Sequence, residues 1–142
     1  MNEERGTFRE IEHTADLGIE ITAADLPGLF AAAGEGLFSL IADPENIDPR
    51  DQVAVSAVGA GPEELLHAWL RELLTQFNLD GFVGKTCVVE RLTDGRVDGI
   101  VHGETLDLSR HRFRTEIKGV TYHDFKVWQE NRAWHARVIF DV

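Results

Sequence analysis

The chain has one cysteine, few basic residues and no long apolar run, and each scarcity excludes a class of protein. Cys87 cannot form a disulfide within the chain, and its apolar neighbours indicate a small core residue. No stretch approaches the roughly 20 apolar residues of a membrane-spanning helix. Residues 1–5 are charged and lack the apolar segment of a secretory signal. We therefore expect a cytoplasmic protein with no membrane contact.

The shortage of basic residues bears on the choice of partner. The chain has 14 Lys and Arg against 25 Asp and Glu, which gives a net charge of −11. Direct binding to a phosphate backbone needs clustered basic side chains. We therefore expect this protein to act on RNA only indirectly, through a partner protein. An acidic surface suits cations or a basic protein partner. From charge alone, acidity that serves only solubility is an equal alternative.

The sequence also lacks the common catalytic motifs. It has no P-loop, no dinucleotide-binding fingerprint, no HExxH and no Gly-x-Ser-x-Gly. Ser39, Ser56 and Ser109 have no context typical of a nucleophile, and Cys87 has no activating neighbour. We therefore assign no catalytic residue.

Two amphipathic helices are predicted within one domain, residues 1–142. Asp25 is a good N-cap for the first helix, whose apolar stripe ends before Pro44. The second helix opens at Pro62 and carries two adjacent apolar rows. Within each row the apolar residues recur every four positions. His67 lies off those rows, and we expect it to be solvated.

The rest of the chain is typical of strands. Alternation predicts strands at 52–58, 120–128 and 133–142, and a hairpin of 85–92 with 97–102 around Asp94-Gly95. This order of elements indicates an α+β fold: a mostly antiparallel or mixed β-sheet with both amphipathic helices packed on one face.

Carboxylates at the two ends of the chain are candidate ligands of a hard cation. Asp16 lies at a corner between two predicted strands, and Asp141 ends the last strand. The α-carboxylate expected at Val142 would add a third oxygen-rich group. Asp43 follows the first helix, where the helix dipole disfavours a carboxylate unless a cation offsets it. The alternative is that Asp16 orders a turn and that Asp141 and Asp43 are solvated surface residues.

Polar side chains also gather at Lys118-Gly119-Val120-Thr121-Tyr122-His123. A lysine beside a carboxylate site would act as a counter-charge. An equal alternative is that Lys118 lies on an edge strand, where its charge prevents the edge from pairing with another chain.

The chain resembles the archease family over nearly its full length. The resemblance rests on boxes that follow one another in order: Glu12-His13-Thr14-Ala15-Asp16, Gly36-Leu37-Phe38 with Asp43, the run from Glu64 to Leu74, Gly103-Glu104, His111, the box from Glu116 to His123, and Phe140-Asp141-Val142. Two departures are minor: Gly119 stands where the family often has Ala, and Leu26-Pro27-Gly28 replaces a usual Leu-Glu-Glu.

The resemblance implies a protein cofactor of the GTP-dependent RNA-splicing ligase, not an enzyme. Archeases speed guanylylation of that ligase and permit multiple turnover. The family's acidic pocket binds a divalent cation such as Ca²⁺, Mg²⁺ or Mn²⁺. The resemblance matches its ligands to Asp16, Asp43, Asp141 and Val142 and its lysine to Lys118. We expect His13 and His123 to contribute to activation of the partner.

Two alternatives stay open. The first is a metal-dependent hydrolase that uses His13, Asp16 and His123 around a bound water. The second is a chaperone-like modulator of RNA-modifying enzymes that acts without metal.

Overall fold

The computed structural model describes residues 6–13 and 16–142, and only the backbone at positions 12, 13 and 16. Within this part of the chain two α-helices and eight strands follow one another, which confirms the α+β class. In order they are β1 (Thr7–His13), β2 (Asp16–Ala23), α1 (Leu26–Ile41), β3 (Asp51–Val58), α2 (Gly61–Asp80), β4 (Phe82–Leu92), β5 (Arg96–Thr105), β6 (Gly119–Val120), β7 (Lys126–Glu130) and β8 (Ala133–Asp141).

The strands form two antiparallel sheets, so the expectation of one sheet with both helices on one face is wrong. In the larger sheet β1 pairs with β2 and β2 with β8, whose other edge pairs with both β6 and β7. The smaller sheet has the order β3-β5-β4. Each helix packs on strands of both sheets. The physical reason lies in α1, which buries 12 of its 16 residues and therefore needs cover on more than one side.

Helix α1 begins as the sequence predicts and packs closely through its glycines. Asp25 Oδ1 accepts a hydrogen bond from the Gly28 amide at 2.8 Å. A Cβ at Gly34 would lie 2.8 Å from Cys87 Sγ, and one at Gly36 would lie 2.9 Å from Ile19 Cδ1. The glycines that weaken this helix thus allow it to approach β4 and β2 closely.

Helix α2 supplies the other half of the core. Its acidic first turn includes Glu64, whose Oε2 accepts from the Ala60 amide at 2.6 Å. Trp69 is fully buried, and its indole Nε1 donates to the Phe30 carbonyl at 3.0 Å. Gly81 ends the helix in the left-handed region, with a φ of 69°.

A buried carboxylate, Glu104 on β5, organises the loop between α1 and β3 and the loop that follows β5. It accepts from Arg110 Nη2 at 2.6 Å, from the Asp48 amide at 2.7 Å and from His111 Nε2 at 2.9 Å. The Arg110 guanidinium and then the Asp48 amide lower the pKa of Glu104 to about 2. The polar stretch after β5 is therefore a fixed structure built around one charge.

The predicted strand at 120–128 is interrupted. β6 and β7 both lie along β8, and the chain between them leaves the sheet edge in a turn where Asp124 has a φ of 54°. Phe125 is buried in the core, and the Tyr122 ring stacks against α2. Contacts with a helix that is remote in sequence therefore override the local alternation.

We predict that Gly99→Ala destabilises the fold by about 1–3 kcal/mol, the usual cost of overpacking a core. A Cβ at Gly99 would lie 2.7 Å from Trp69 Cη2 and 2.8 Å from the Val88 carbonyl oxygen. Chemical denaturation measures the change. Gly95→Ala is the matched control, because its nearest neighbour would be 3.9 Å away. Equal stability of the two variants would contradict the packing described.

Candidate functional site

Asp16 and Asp141 lie at the same end of two neighbouring strands. In the antiparallel pair of β2 and β8, Leu17 is opposite Phe140. Asp16 precedes Leu17 and Asp141 follows Phe140. The two backbones therefore lie at the same end of the larger sheet, where β2 begins and β8 finishes. The two ends of the sequence therefore meet here. The side chains of Asp16 and His13 lie outside the described residues.

An extended segment, residues 112–118, links this end of the sheet to the end of α1; we call it the strap. The Asp43 amide donates to the Arg112 carbonyl at 3.0 Å. The Arg114 amide donates to the Ile41 carbonyl at 2.8 Å, and the Lys118 amide donates to the Asp141 carbonyl at 2.8 Å. The backbones of Asp43, Lys118 and Asp141 are thus joined through one short segment.

Asp43 has a structural role of its own. Its Oδ1 accepts from the Glu45 amide at 3.0 Å and caps the single 3₁₀ turn Pro44–Asn46. This hydrogen bond stabilises the carboxylate at the end of α1 without any cation, so the dipole argument for a metal loses its force.

Lys118, Asp141 and Val142 have exposed side chains around this end. Gly119 is opposite Asp141 in the β6–β8 pair, and a Cβ at Gly119 would lie 3.8 Å from Asp141 Oδ2. The Asp141 carboxylate therefore lies beside the strand that follows Lys118.

The four-ligand metal set stays a prediction. Among the residues with described side chains, no three His, Cys, Asp or Glu groups are arranged to hold a metal ion. Asp16 is not among them. The remaining predicted donors, Asp43, Asp141 and Val142, offer oxygen only, which fits Mg²⁺, Ca²⁺ or Mn²⁺ better than a softer metal.

His123 lies in the turn that leaves the sheet edge. The Thr121 amide donates to the Ile139 carbonyl at 3.2 Å, and the chain departs toward α2 after that point. The His123 Nε2 is 3.5 Å from Asp124 Oδ2. The hydrogen bonds that join Lys118 and Asp43 to the end of the sheet do not include His123.

The environment of His67 differs from the solvated one predicted from the sequence. The residue is buried, not solvated, and its ring stacks on Tyr122 with centroids 3.7 Å apart and planes 5° from parallel. Its Nε2 donates to the Val120 carbonyl at 2.8 Å and thereby ties β6 to α2. Among the described residues, Nδ1 has no hydrogen-bond partner. The exposed position on the helical wheel concealed this role, because Tyr122 reaches it from residues far along the chain.

The comparisons with known proteins agree over nearly the whole chain. The family model of the Archease protein family (MTH1598/TM1083) matches residues 8–142. Protein archease of Methanopyrus kandleri is 38% identical over 138 residues, which cover 95% of this chain and 99% of the relative. Protein archease of Thermococcus gammatolerans is 33% identical, with 95% and 98% covered.

Two solved structures share the fold. The solution structure of Methanobacterium thermoautotrophicum protein 1598 has a TM-score of 0.80 at 27% identity and covers 98% of this chain and 99% of its own. The crystal structure of a Thermotoga maritima archease, described as a possible chaperone, has a TM-score of 0.66 at 19% identity, with 94% and 96% covered. No helix in the described part of the chain is long and apolar enough to cross a membrane.

We predict that His67 makes the protein less stable as the pH falls below 6.5. Burial lowers the pKa of His67 from its ordinary value of 6.5; the hydrogen bond to the Val120 carbonyl opposes this shift, and the positive charge of Arg71 adds to it. The unfolded chain therefore binds the proton first, and folding free energy is lost as the pH falls toward the folded-state pKa.

Urea denaturation between pH 7 and pH 5 measures this loss. The control is His67→Gln, whose amide keeps a donor for Val120 but does not titrate. We expect a smaller loss in the variant than in the parent. The same pH dependence in both proteins would refute a buried neutral His67.

Proposed function

Because this chain belongs to the archease family, we propose that it activates a GTP-dependent RNA-splicing ligase as a protein cofactor and catalyses no reaction itself. In this proposal it promotes guanylylation of the ligase and allows repeated turnover. The ligase is the direct partner, and its substrate RNA is joined by the ligase alone.

The observation that carries the proposal is the meeting of two distant boxes at one end of the sheet. The pairing of β2 with β8 aligns Asp16 with Asp141, and the Lys118 amide bonds to the Asp141 carbonyl. These are the residues that the family resemblance assigns to the acidic pocket. Residues held on paired strands keep their relative positions better than residues on loops.

The proposed pocket holds a divalent cation through Asp16, Asp43 and Asp141, with Val142 beside them. Asp43 has one oxygen, Oδ1, engaged with the Glu45 amide, which leaves Oδ2 for a ligand. A bound cation would supply positive charge that offsets the clustered carboxylates and attracts phosphate oxygens. Hard oxygen donors of this kind suit Ca²⁺, Mg²⁺ or Mn²⁺.

Lys118 is proposed as the counter-charge of this pocket and as a contact to the ligase. Its side chain is exposed while its backbone is fixed by Asp141. The net charge of −11 would in addition steer the protein toward a basic RNA-binding cleft on the ligase.

We predict that Asp141→Asn weakens divalent-cation binding strongly and leaves the fold intact. The change removes one anionic ligand at an exposed strand end and keeps the size of the side chain. Isothermal titration calorimetry with Ca²⁺, Mg²⁺ and Mn²⁺ measures affinity, and the Asp16→Asn variant should behave alike. Asp94→Asn in the β4–β5 turn is the control for a lost surface charge. Unchanged affinity in both pocket variants would mean that the pocket is wrongly placed.

We also predict that Lys118→Ala reduces stimulation of the ligase much more than it reduces stability. An exposed lysine at a strand end contributes at most about 0.5 kcal/mol to folding. The assay follows multiple-turnover RNA ligation with GTP and metal, and Lys126→Ala on the same sheet is the control. A lower melting temperature with normal stimulation would make Lys118 structural.

The same assay separates the two alternatives. RNA or nucleotide hydrolysis by the purified protein alone would favour a hydrolase based on His13, Asp16 and His123. For the second alternative, the ligase is loaded with metal first and excess chelator then removes free metal. Stimulation of the ligase that persists under these conditions would favour a metal-independent chaperone.

A further inference from the structure

Basic residues are concentrated in one short part of this acidic chain. Residues 110–118 contain Arg110, Arg112, Arg114 and Lys118, four of the 14 basic residues, and Glu116 as the one acid. The strap lies within this run. Its local charge is therefore opposite to that of the molecule.

The strap turns its basic side chains outward in a row. Arg112, Arg114, Glu116 and Lys118 are exposed, whereas Ile117 between them is buried. From Arg114 to Lys118 the exposure alternates as in an extended chain, and Arg112 and Phe113 before them are both exposed. Hydrogen bonds from Asp43 and to Asp141 at the two ends of the strap fix its backbone, so the row has a defined direction.

Two cations of the row are available to a ligand. Arg114 is engaged with the Ser39 carbonyl and the Glu10 carboxylate, each at 2.8 Å. Arg112 and Lys118 have no side-chain hydrogen bond or ion pair to any residue that the structure describes. Their backbones are held by hydrogen bonds while their side chains are exposed, which lowers the entropic cost of binding an anion.

An exposed aromatic residue lies between Arg112 and Arg114 in the sequence. Phe113 is 43% exposed although its backbone forms a β-bridge with Ala42. An exposed aromatic residue next to cations on a held backbone suits single-stranded nucleic acid: the cations contact phosphates, and a base stacks on the ring. An acidic peptide would use the cations but would gain little from the ring.

We propose that the strap binds the phosphate backbone of single-stranded RNA directly, with Arg112 and Lys118 on phosphates and Phe113 against a base. The net charge of −11 predicts only indirect contact with RNA, but it is an average over the whole surface. At physiological ionic strength charges are screened beyond about 8 Å, so the local row decides close contacts. The strap adds an RNA contact to the proposed function and does not depend on the ligase.

The test is an NMR titration of the ¹⁵N-labelled protein with a ten-nucleotide single-stranded RNA, without ligase, GTP or metal. We expect amide shifts confined to residues 112–118. Two neutralised phosphates give a slope of log K against log salt of about −1.4 for a single strand. Because no ligase is present, failure here would leave the activation of the ligase untouched, and failure of activation would leave this binding untouched.

Matched variants assign the binding to the row. Arg112→Gln should weaken binding several-fold and reduce the steepness of the salt slope by about 0.7, the contribution of one phosphate. Glu116→Gln removes the one repelling charge and should strengthen binding. Lys126→Gln on β7 should change nothing. Shifts absent from 112–118, equal affinities of the Arg112 and Lys126 variants, or tighter binding of a ten-residue polyglutamate peptide would each overturn the proposal.

Discussion

Strand β8 is the constraint on which the candidate site depends, because it pairs along both of its edges. On one edge it aligns β2, so that Asp16 and Asp141 share one end of the sheet. On the other edge it holds β6, so that the Lys118 amide donates to the Asp141 carbonyl. Asp16, Lys118 and Asp141 are therefore positioned by this strand or by its pairing partners, whereas His13 lies opposite Asp16 on β1. Its inward side chains, such as Val138 and Phe140, are fully buried and anchor the strand in the core.

Local pattern predicted the elements well but not their assembly. Asp25 and the Asp94-Gly95 turn each act through a few neighbouring residues, and the structure agrees with both. The last strand forms as predicted, but Ile139 on its expected polar face is fully buried. The division into two sheets depends on pairing between remote strands, which no local pattern encodes. The break between β6 and β7 has the same origin, because Tyr122 packs on α2.

Buried polar groups show the same limit at the level of single residues. Glu104 and His67 are polar residues, yet both are buried. Each is bonded to a group remote in sequence: Glu104 accepts from the Asp48 amide, and His67 donates to the Val120 carbonyl. The candidate site was accessible to sequence reasoning through its boxes, since Asp16, Lys118 and Asp141 stand at element ends. For Asp43 the helix-dipole argument loses its force, because the Glu45 amide already stabilises its carboxylate, and its assignment rests on the family resemblance.

The strap makes the two parts of the site mechanically dependent on each other. It bonds to Asp43 and Ile41 at the end of α1 and to Asp141 at the end of β8. A displacement of either end therefore acts on the segment that carries Arg112 and Lys118. Tyr122 and His67 restrain the continuation of this segment from the side of α2. The backbones of Asp43 and Asp141 are thus held by one segment, and that segment carries a local charge opposite to that of the molecule.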